Sequence, residues 1–384
     1  MKQLSIIVLI AAAAGAQPRY NLIDLGVLKG GNFSQGAAIS DNQFVSGLAS
    51  VADGSQHAMI WYNGRAIDIS KPGVLGPNSG SFGINSAGQA AVLAESTAKD
   101  PNNENFCAYG TGLKCLPFQW QGGLLTPLPL LGGNNGTIGN INNRGEIVGV
   151  AETGIRDPQC PTGVSPSGTG PHQFDYQAVV WGPRQGEIRV LRPLAGDTVG
   201  VAIWLNDLGQ AVGASGTCAN TVLPPLAYGP HAVLWDRDGT VHDLGNLGSS
   251  KLNMALSINN TGDVVGGSAL SDDSTVNDGG RAFLWTKDRG KMINLGTLPG
   301  DKASAATGIN DRGEVAGISV GADGNPRAFI WRNGVMTDLN TLVPENSPLY
   351  LLFSSAINNR GEIAGFGVTE EGDVHAYLLQ PNGR

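Results

Sequence analysis

The sequence predicts an all-β protein, a seven-bladed β-propeller with four short antiparallel strands per blade and a ring closed by its first strand. Three observations lead there. A nine-residue turn motif occurs in seven copies, a strand ending in tryptophan follows six of them, and an Asp-Leu-Gly element that ends later repeats also stands alone near the start. Self-similarity at periods of tens of residues marks a repeat architecture, so 384 residues read as one closed body rather than two or three domains.

The turn is clearest in INDRGEVAG at 309–317. An aliphatic residue leads into Asn310-Asp311-Arg312-Gly313, Gly313 supplies the positive φ of a tight reversal, and Glu314-Val315-Ala316 begins the returning strand. Close copies are INNRGEIVG at 141–149, LNDLGQAVG at 205–213, INNTGDVVG at 258–266 and INNRGEIAG at 357–365. INSAGQAAV at 84–92 lacks the final glycine, and ISDNQFVSG at 39–47 alters the turn.

The tryptophan strand reads HAMIW at 57–61, PFQW at 117–120, QAVVW at 177–181, HAVLW at 231–235, RAFLW at 281–285 and RAFIW at 327–331. Its seventh copy is HAYLL at 375–379. The fourth element is HDLGNLG at 242–248, INLGTLPG at 293–300 and TDLNTLV at 337–343, and YNLIDLGVL at 20–28 matches it. Each repeat thus holds strand A into the turn, B out of it, C ending in tryptophan and D through Asp-Leu-Gly. The last repeat lacks its D strand, which 20–28 supplies. Such an exchange closes a ring and protects its edges. An open β-solenoid is the alternative, although its repeats are shorter and need no exchanged strand.

Composition agrees with many turns and a small charged surface. Glycine, at 57 residues, is about twice the usual ~7%, and charged residues at 15% fall below the usual ~25%. A net charge of −8 without any Lys/Arg block gives no electrostatic footprint for nucleic acid or an anionic membrane. Residues 1–16 combine Lys2, an apolar run from Leu4 and a small-residue site at Ala14-Gly15-Ala16, which predicts a secretory signal peptide followed by a single domain at 17–384. No later segment approaches the ~20 apolar residues of a spanning helix, so no membrane insertion is expected.

Taken together, Asn-x-x-Gly followed by a hydrophobic strand, then His-Ala-Phe-Leu-Trp and Asp-Leu-Gly-x-Leu, resembles the bacterial extracellular HAF-repeat family over essentially the whole mature chain. Pro117 and Gln177 depart from the His-Ala pattern, and Leu379 replaces the last tryptophan. The resemblance implies a secreted bacterial repeat protein and attaches no general activity to it.

Functional residues are expected where the repeats differ. The A–B turns are alike, whereas the B–C loops carry long insertions at 94–116, 151–176 and 214–230, in blades two to four. All four cysteines fall there, and three pairings are possible. Proximity favours Cys107–Cys115 and blade adjacency favours Cys160–Cys218, while zinc lacks its paired Cys-x-x-Cys spacing. Phe106, Tyr109, Arg156, Asp157, His172, Phe174, Asp175, Tyr176 and Tyr228 offer aromatic faces beside polar groups, suited to a glycan or peptide or to packing of the loops on each other. Trp204, on strand A where other repeats place small residues such as Ser257 and Gly308, reads either as a core residue or as a plug or lining of the top of the central channel.

His57, His231 and His375 share one slot with Gln177, Arg281 and Arg327, so a structural hydrogen bond accounts for them better than a metal. The Asn-Asp-Arg-Gly-Glu turns lack the ligand order of a calcium loop. Neither a cofactor nor a metal is expected. The sequence has no nucleophile elbow, zinc-protease motif or phosphate loop. The expected role is non-catalytic binding of an extracellular glycan or protein by a monomer, through the loops of blades two to four. A hydrolase or lyase at the channel mouth remains open, because carboxylates from separate blades leave no local motif. So does a purely structural surface protein.

Overall fold

The computed structural model describes residues 20–382 apart from 72, 167 and 276, and the expected signal segment lies outside the described residues. Its strands form seven four-stranded antiparallel sheets. The first blade holds Ser34–Ile39, Val45–Ser50, Gln56–Tyr62 and Arg65–Asp68, and five more follow in chain order. The seventh takes Tyr350–Ile357, Ile363–Val368 and Val374–Pro381 and adds Tyr20–Gly26 as its outer strand. The seven-bladed ring and its closure by the first strand are therefore as the sequence predicts. Among the described residues the only helical element is the 3-10 turn Leu339–Thr341.

Burial follows strand order. Strand B of the first blade is buried along its whole length and strand D is exposed along its whole length. B strands such as Val45–Ser50 and Val264–Ala269 hold small and aliphatic residues because neighbouring blades cover both of their faces. At the hairpin Gly313 has φ 73°, and Asn310 Oδ1 accepts the backbone N–H groups of Arg312 and Glu314, both at 3.1 Å. Blade one has no glycine at this point. Gln43 adopts φ 66° instead, and its side-chain amide donates to Glu362 of blade seven at 2.5 Å, which holds the strained turn against its neighbour.

The last glycine of the motif has a different task. Strand A bulges between Ala306 and Gly308, opposite Gly317. A Cβ on Gly317 would lie 2.2 Å from the Ala305 carbonyl oxygen and 2.6 Å from the Phe329 ring. Only a bare backbone fits between the bulge and the strand-C aromatic.

Tryptophans and histidines tie strands and blades together. The indole N–H groups of Trp61, Trp181 and Trp235 donate to the carbonyls of Leu25, Pro129 and Arg192, at 3.1, 2.7 and 2.7 Å, on or just beyond the outer strand of the preceding blade. His57, His231 and His375 pair with Asp68, Asp243 and Asp24 at 2.8, 3.1 and 2.9 Å. Each histidine of strand C thus meets the aspartate of strand D. In blade six Arg327 reaches the equivalent Asp338 at 3.1 Å, which explains why arginine can share the slot.

Both favoured disulfides form, Cys107–Cys115 within blade two and Cys160–Cys218 between blades three and four. The insertions are partly strand rather than loop. Strand B runs over Ala90–Lys99 in blade two and Ile147–Arg156 in blade three, and pairings such as Lys99 with Leu113 and Arg156 with Phe174 prolong the B–C hairpins.

Candidate functional site at the channel mouth

The innermost strands end in a ring of aliphatic residues, among them Ile39, Ile84, Leu205 and Ile357, which give way to the A–B turns. The turns line an open funnel of about 610 Å³, its mouth included. Two polar rings surround it. In the inner ring each asparagine amide donates to the backbone carbonyl of the next blade's equivalent residue. Asn85 reaches Asn142 at 3.0 Å, Asn142 reaches Asn206 at 3.1 Å, Asn206 reaches Asn259 at 2.9 Å, and the belt continues through Asn310 to Asn358 and Ser40. Ser40, in the altered turn, has no amide to offer. Asn42 bridges that gap instead, donating to the Ser86 carbonyl at 2.9 Å.

Apart from Ser86 of blade two, the outer ring alternates carboxylates and amides. Asn143 donates from its backbone and side chain to the two oxygens of Asp207, at 2.8 and 2.9 Å. Asn260 does the same to Asp311 and Asn359 to Asp41. Asp311 Oδ2 accepts a second amide, from Asn359 at 2.9 Å, whereas Asp311 Oδ1 and both oxygens of Asp41 and Asp207 accept one of these bonds each and keep a lone pair for a ligand. The neighbouring arginines are used locally, since Arg144 pairs with Glu146 and Arg312 with Glu314.

The residue before each ring aliphatic is small in most blades: Ala38, Gly83, Ser257, Gly308 and Ala356. Blades three and four carry Asn140 and Trp204 there, and both line the funnel. The Trp204 ring packs against clusters that hold Ile84 of blade two, Ile39 of blade one and Ile258 of blade five. The cluster of Ile258 lies across the ring from the other two, so the indole spans the channel and floors the funnel.

The remaining candidates lie on the opposite face and take several fates. Phe106, His172 and Tyr176 are 1%, 5% and 0% exposed. They stack edge-to-face, with ring centroids 5.3 Å apart for Phe106–His172 and 5.9 Å for His172–Tyr176. Tyr109 packs on the same cluster, and the Cys107, Cys160 and Cys218 side chains complete it. These side chains are the core of the stapled loops. Burial lowers the His172 pKa to about 4, so the ring is neutral. Tyr228 packs apart from them, against the cluster of Leu252, Met254 and Ala269.

Arg156, Phe174, Asp157 and Asp175 stay nearer the surface. The Arg156 guanidinium lies 5.3 Å from the centre of the Phe174 ring. Burial first, and then the adjacent Asp157 carboxylate, push Asp175 up to about 6. Sequence reasoning missed Asn140 and the two turn rings. Their signal was present, because Asn140 breaks the small-residue rule at the same position as Trp204.

No protein-family model matches the chain, and no curated protein matches it in sequence. Solved structures do resemble it. Virginiamycin B lyase from Staphylococcus aureus is 11% identical, over 94% of this chain and 99% of that one, with a TM-score of 0.52. The β-propeller domain of the Trilobed protease from Pyrococcus furiosus is 10% identical, over 92% and 96%, with a TM-score of 0.51. Oligogalacturonate lyase from Vibrio parahaemolyticus is 10% identical, over 96% and 94%, with a TM-score of 0.51. At such identities the likeness concerns the fold.

Proposed function

We propose that the chain is an exported, non-catalytic binding propeller of the extracellular HAF-repeat kind, and that it takes a glycan into the channel mouth over Trp204. The observation that carries this reading is one large aromatic at a position the ring otherwise keeps small, opening on a funnel rimmed by amides and carboxylates. An indole face stacks on a sugar ring while fixed polar groups accept its hydroxyls. The loop aromatics of blades two and three are spent on their own core, which moves the reading from that face to this one. The signal-like segment at 1–16 and the two disulfides support export.

A glycan array tests it. Wild type should bind a defined set of glycans, Trp204→Ala should lose them, and Arg156→Ala on the opposite face should keep them. Undiminished binding by a folded Trp204→Ala protein would refute the site. A hydrolase or lyase is the second reading, favoured by the half-buried Asp157–Asp175 pair with Asp175 poised near pH 6. Release of reducing or unsaturated ends from the glycans the array selects, abolished by Asp175→Asn, would establish it in place of simple binding.

A further inference from the structure

We infer that one proton shared between Glu104 and Glu152 clamps the blade-two insertion onto blade three, and that losing this proton releases the insertion. The clamp lies on the face opposite the funnel and does not depend on what the funnel binds.

Glu104 sits in the blade-two insertion and Glu152 on strand B of blade three, and both are 0% exposed. Their carboxyls face each other within hydrogen-bonding reach. Asn135 Nδ2 donates to both, at 3.2 and 3.4 Å, and to Asp100 at 2.9 Å. Backbone N–H groups add to these: Asn134 and Asn135 donate to the same Glu152 Oε2 at 2.6 and 3.1 Å, and Gln173 donates to Glu104 Oε1 at 2.5 Å. Glu152 Oε1 alone is left without a donor. A proton between the two glutamates provides that donor and removes one of two buried like charges in contact.

No cation among the described residues offers an alternative. Lys114 is engaged by the Asn134 side chain at 3.2 Å and Lys99 by the Thr111 carbonyl at 2.7 Å. Glu95, beside them, accepts from Asn78 and Thr111. Asp157 and Asp175, further along the blade-three loop, add only negative charge. Asn135 also points an N–H at the centre of the three carboxylates, where a metal ion would need an oxygen.

Burial, reinforced by Glu104, raises Glu152 from 4.5 to about 9. The closed state therefore holds a proton that the open state gives up. Docking is strongest below about pH 4.5, weakens as the pH rises, and reaches its floor near pH 9. The insertion also bonds to the blade-three loop through Asn105 and Gly168 at 2.7 Å. Cys160–Cys218 staples that loop to blade four independently, so only the blade-two insertion is set free.

Subtilisin cleavage after Phe106 measures opening, because Glu104, Phe106 and Cys107 are buried when the loop is docked. Products are identified by mass and read on reducing gels, so that neither Cys107–Cys115 nor Cys160–Cys218 alters fragment mobility. Glu152→Gln and, separately, Glu104→Gln supply a permanent N–H donor in place of the proton. The ratio of wild-type to variant cleavage rates should climb by up to about tenfold per pH unit between pH 6 and 9 and then level, the slope of one proton. The ratio cancels the protease's own pH profile. A flat ratio with either glutamine variant overturns the proposal. So does suppression of wild-type cleavage by added calcium, which would make a cation the clamp.

Discussion

His375 and Asp24 lie 351 residues apart in the chain, yet His375 Nδ1 is 2.9 Å from Asp24 Oδ2. The same His–Asp pairing joins neighbouring strands within blades one and four. In blade seven it joins the two ends of the ring. Tyr20, fully buried, reinforces the closure: its backbone N–H donates to Leu342 at 2.9 Å, and Arg332 donates to its hydroxyl at 2.7 Å.

Deleting 20–28 should therefore abolish cooperative unfolding. It removes a whole edge strand together with the Tyr20 anchor between blades six and seven. His375→Ala should lower stability by only about 0.5–1 kcal/mol, since the pair is partly exposed. An unchanged melting curve for the deletion would contradict closure by this strand.

Asn206 serves its turn and its neighbour at once. Its Oδ1 accepts from Leu208 and Gln210, at 3.1 and 3.0 Å, and its Nδ2 donates to the Asn259 carbonyl at 2.9 Å. Asn206→Ala leaves both turn N–H groups unserved and should cost about 2–3 kcal/mol. Asn206→Asp keeps the acceptor, loses the link to the next blade and the Nδ2 bond to Gln210 Oε1 at 2.9 Å, and should cost about 1 kcal/mol. Chemical denaturation will rank the two; equal losses would show that the two turn bonds to Oδ1 contribute nothing.

Gly317→Ala should destabilise by about 3 kcal/mol, because its Cβ would meet backbone oxygen and an aromatic ring together. Adding Phe329→Leu relieves the ring contact but not the carbonyl contact, so rescue should be partial. Complete rescue would assign the cost to the ring alone. Blade two holds Val92 at this position opposite a similar bulge, and nothing in the structure explains how that blade tolerates it.

His172 predicts acid sensitivity. Its pKa falls from 6.5 to about 4 on burial, and Nδ1 finds no partner. The unfolded chain then binds the proton more readily, so stability should drop as the pH falls from about 6.5 towards 4, and His172→Leu should remove that part of the slope. Thermal melts across this range decide it; identical slopes would place the acid sensitivity elsewhere.

The ring was legible in the sequence because its period, its tryptophans and the displaced Asp-Leu-Gly element each repeat or fail to repeat in a countable way. The tasks of individual residues were less so. Asn310 reads as a turn residue in any single repeat, and its bond to Asn358 of the next blade at 3.0 Å exists only once the ring closes. Phe106, His172 and Tyr176 have the composition of a recognition surface. Loops of this length need a core of their own, however, and no local pattern separates the two uses. Trp204 was visible because it broke a positional rule, and its partner Asn140 broke the same rule.

The central claim is that ligand enters the mouth ringed by the A–B turns. A crystal of the mature chain soaked with the oligosaccharide that binds most strongly on the array tests it directly. The predicted result is a sugar ring stacked on Trp204 with hydroxyls on the Asp41, Asp207 and Asp311 carboxylates. Sugar density on the loops of blades two to four, with the funnel empty, would contradict it.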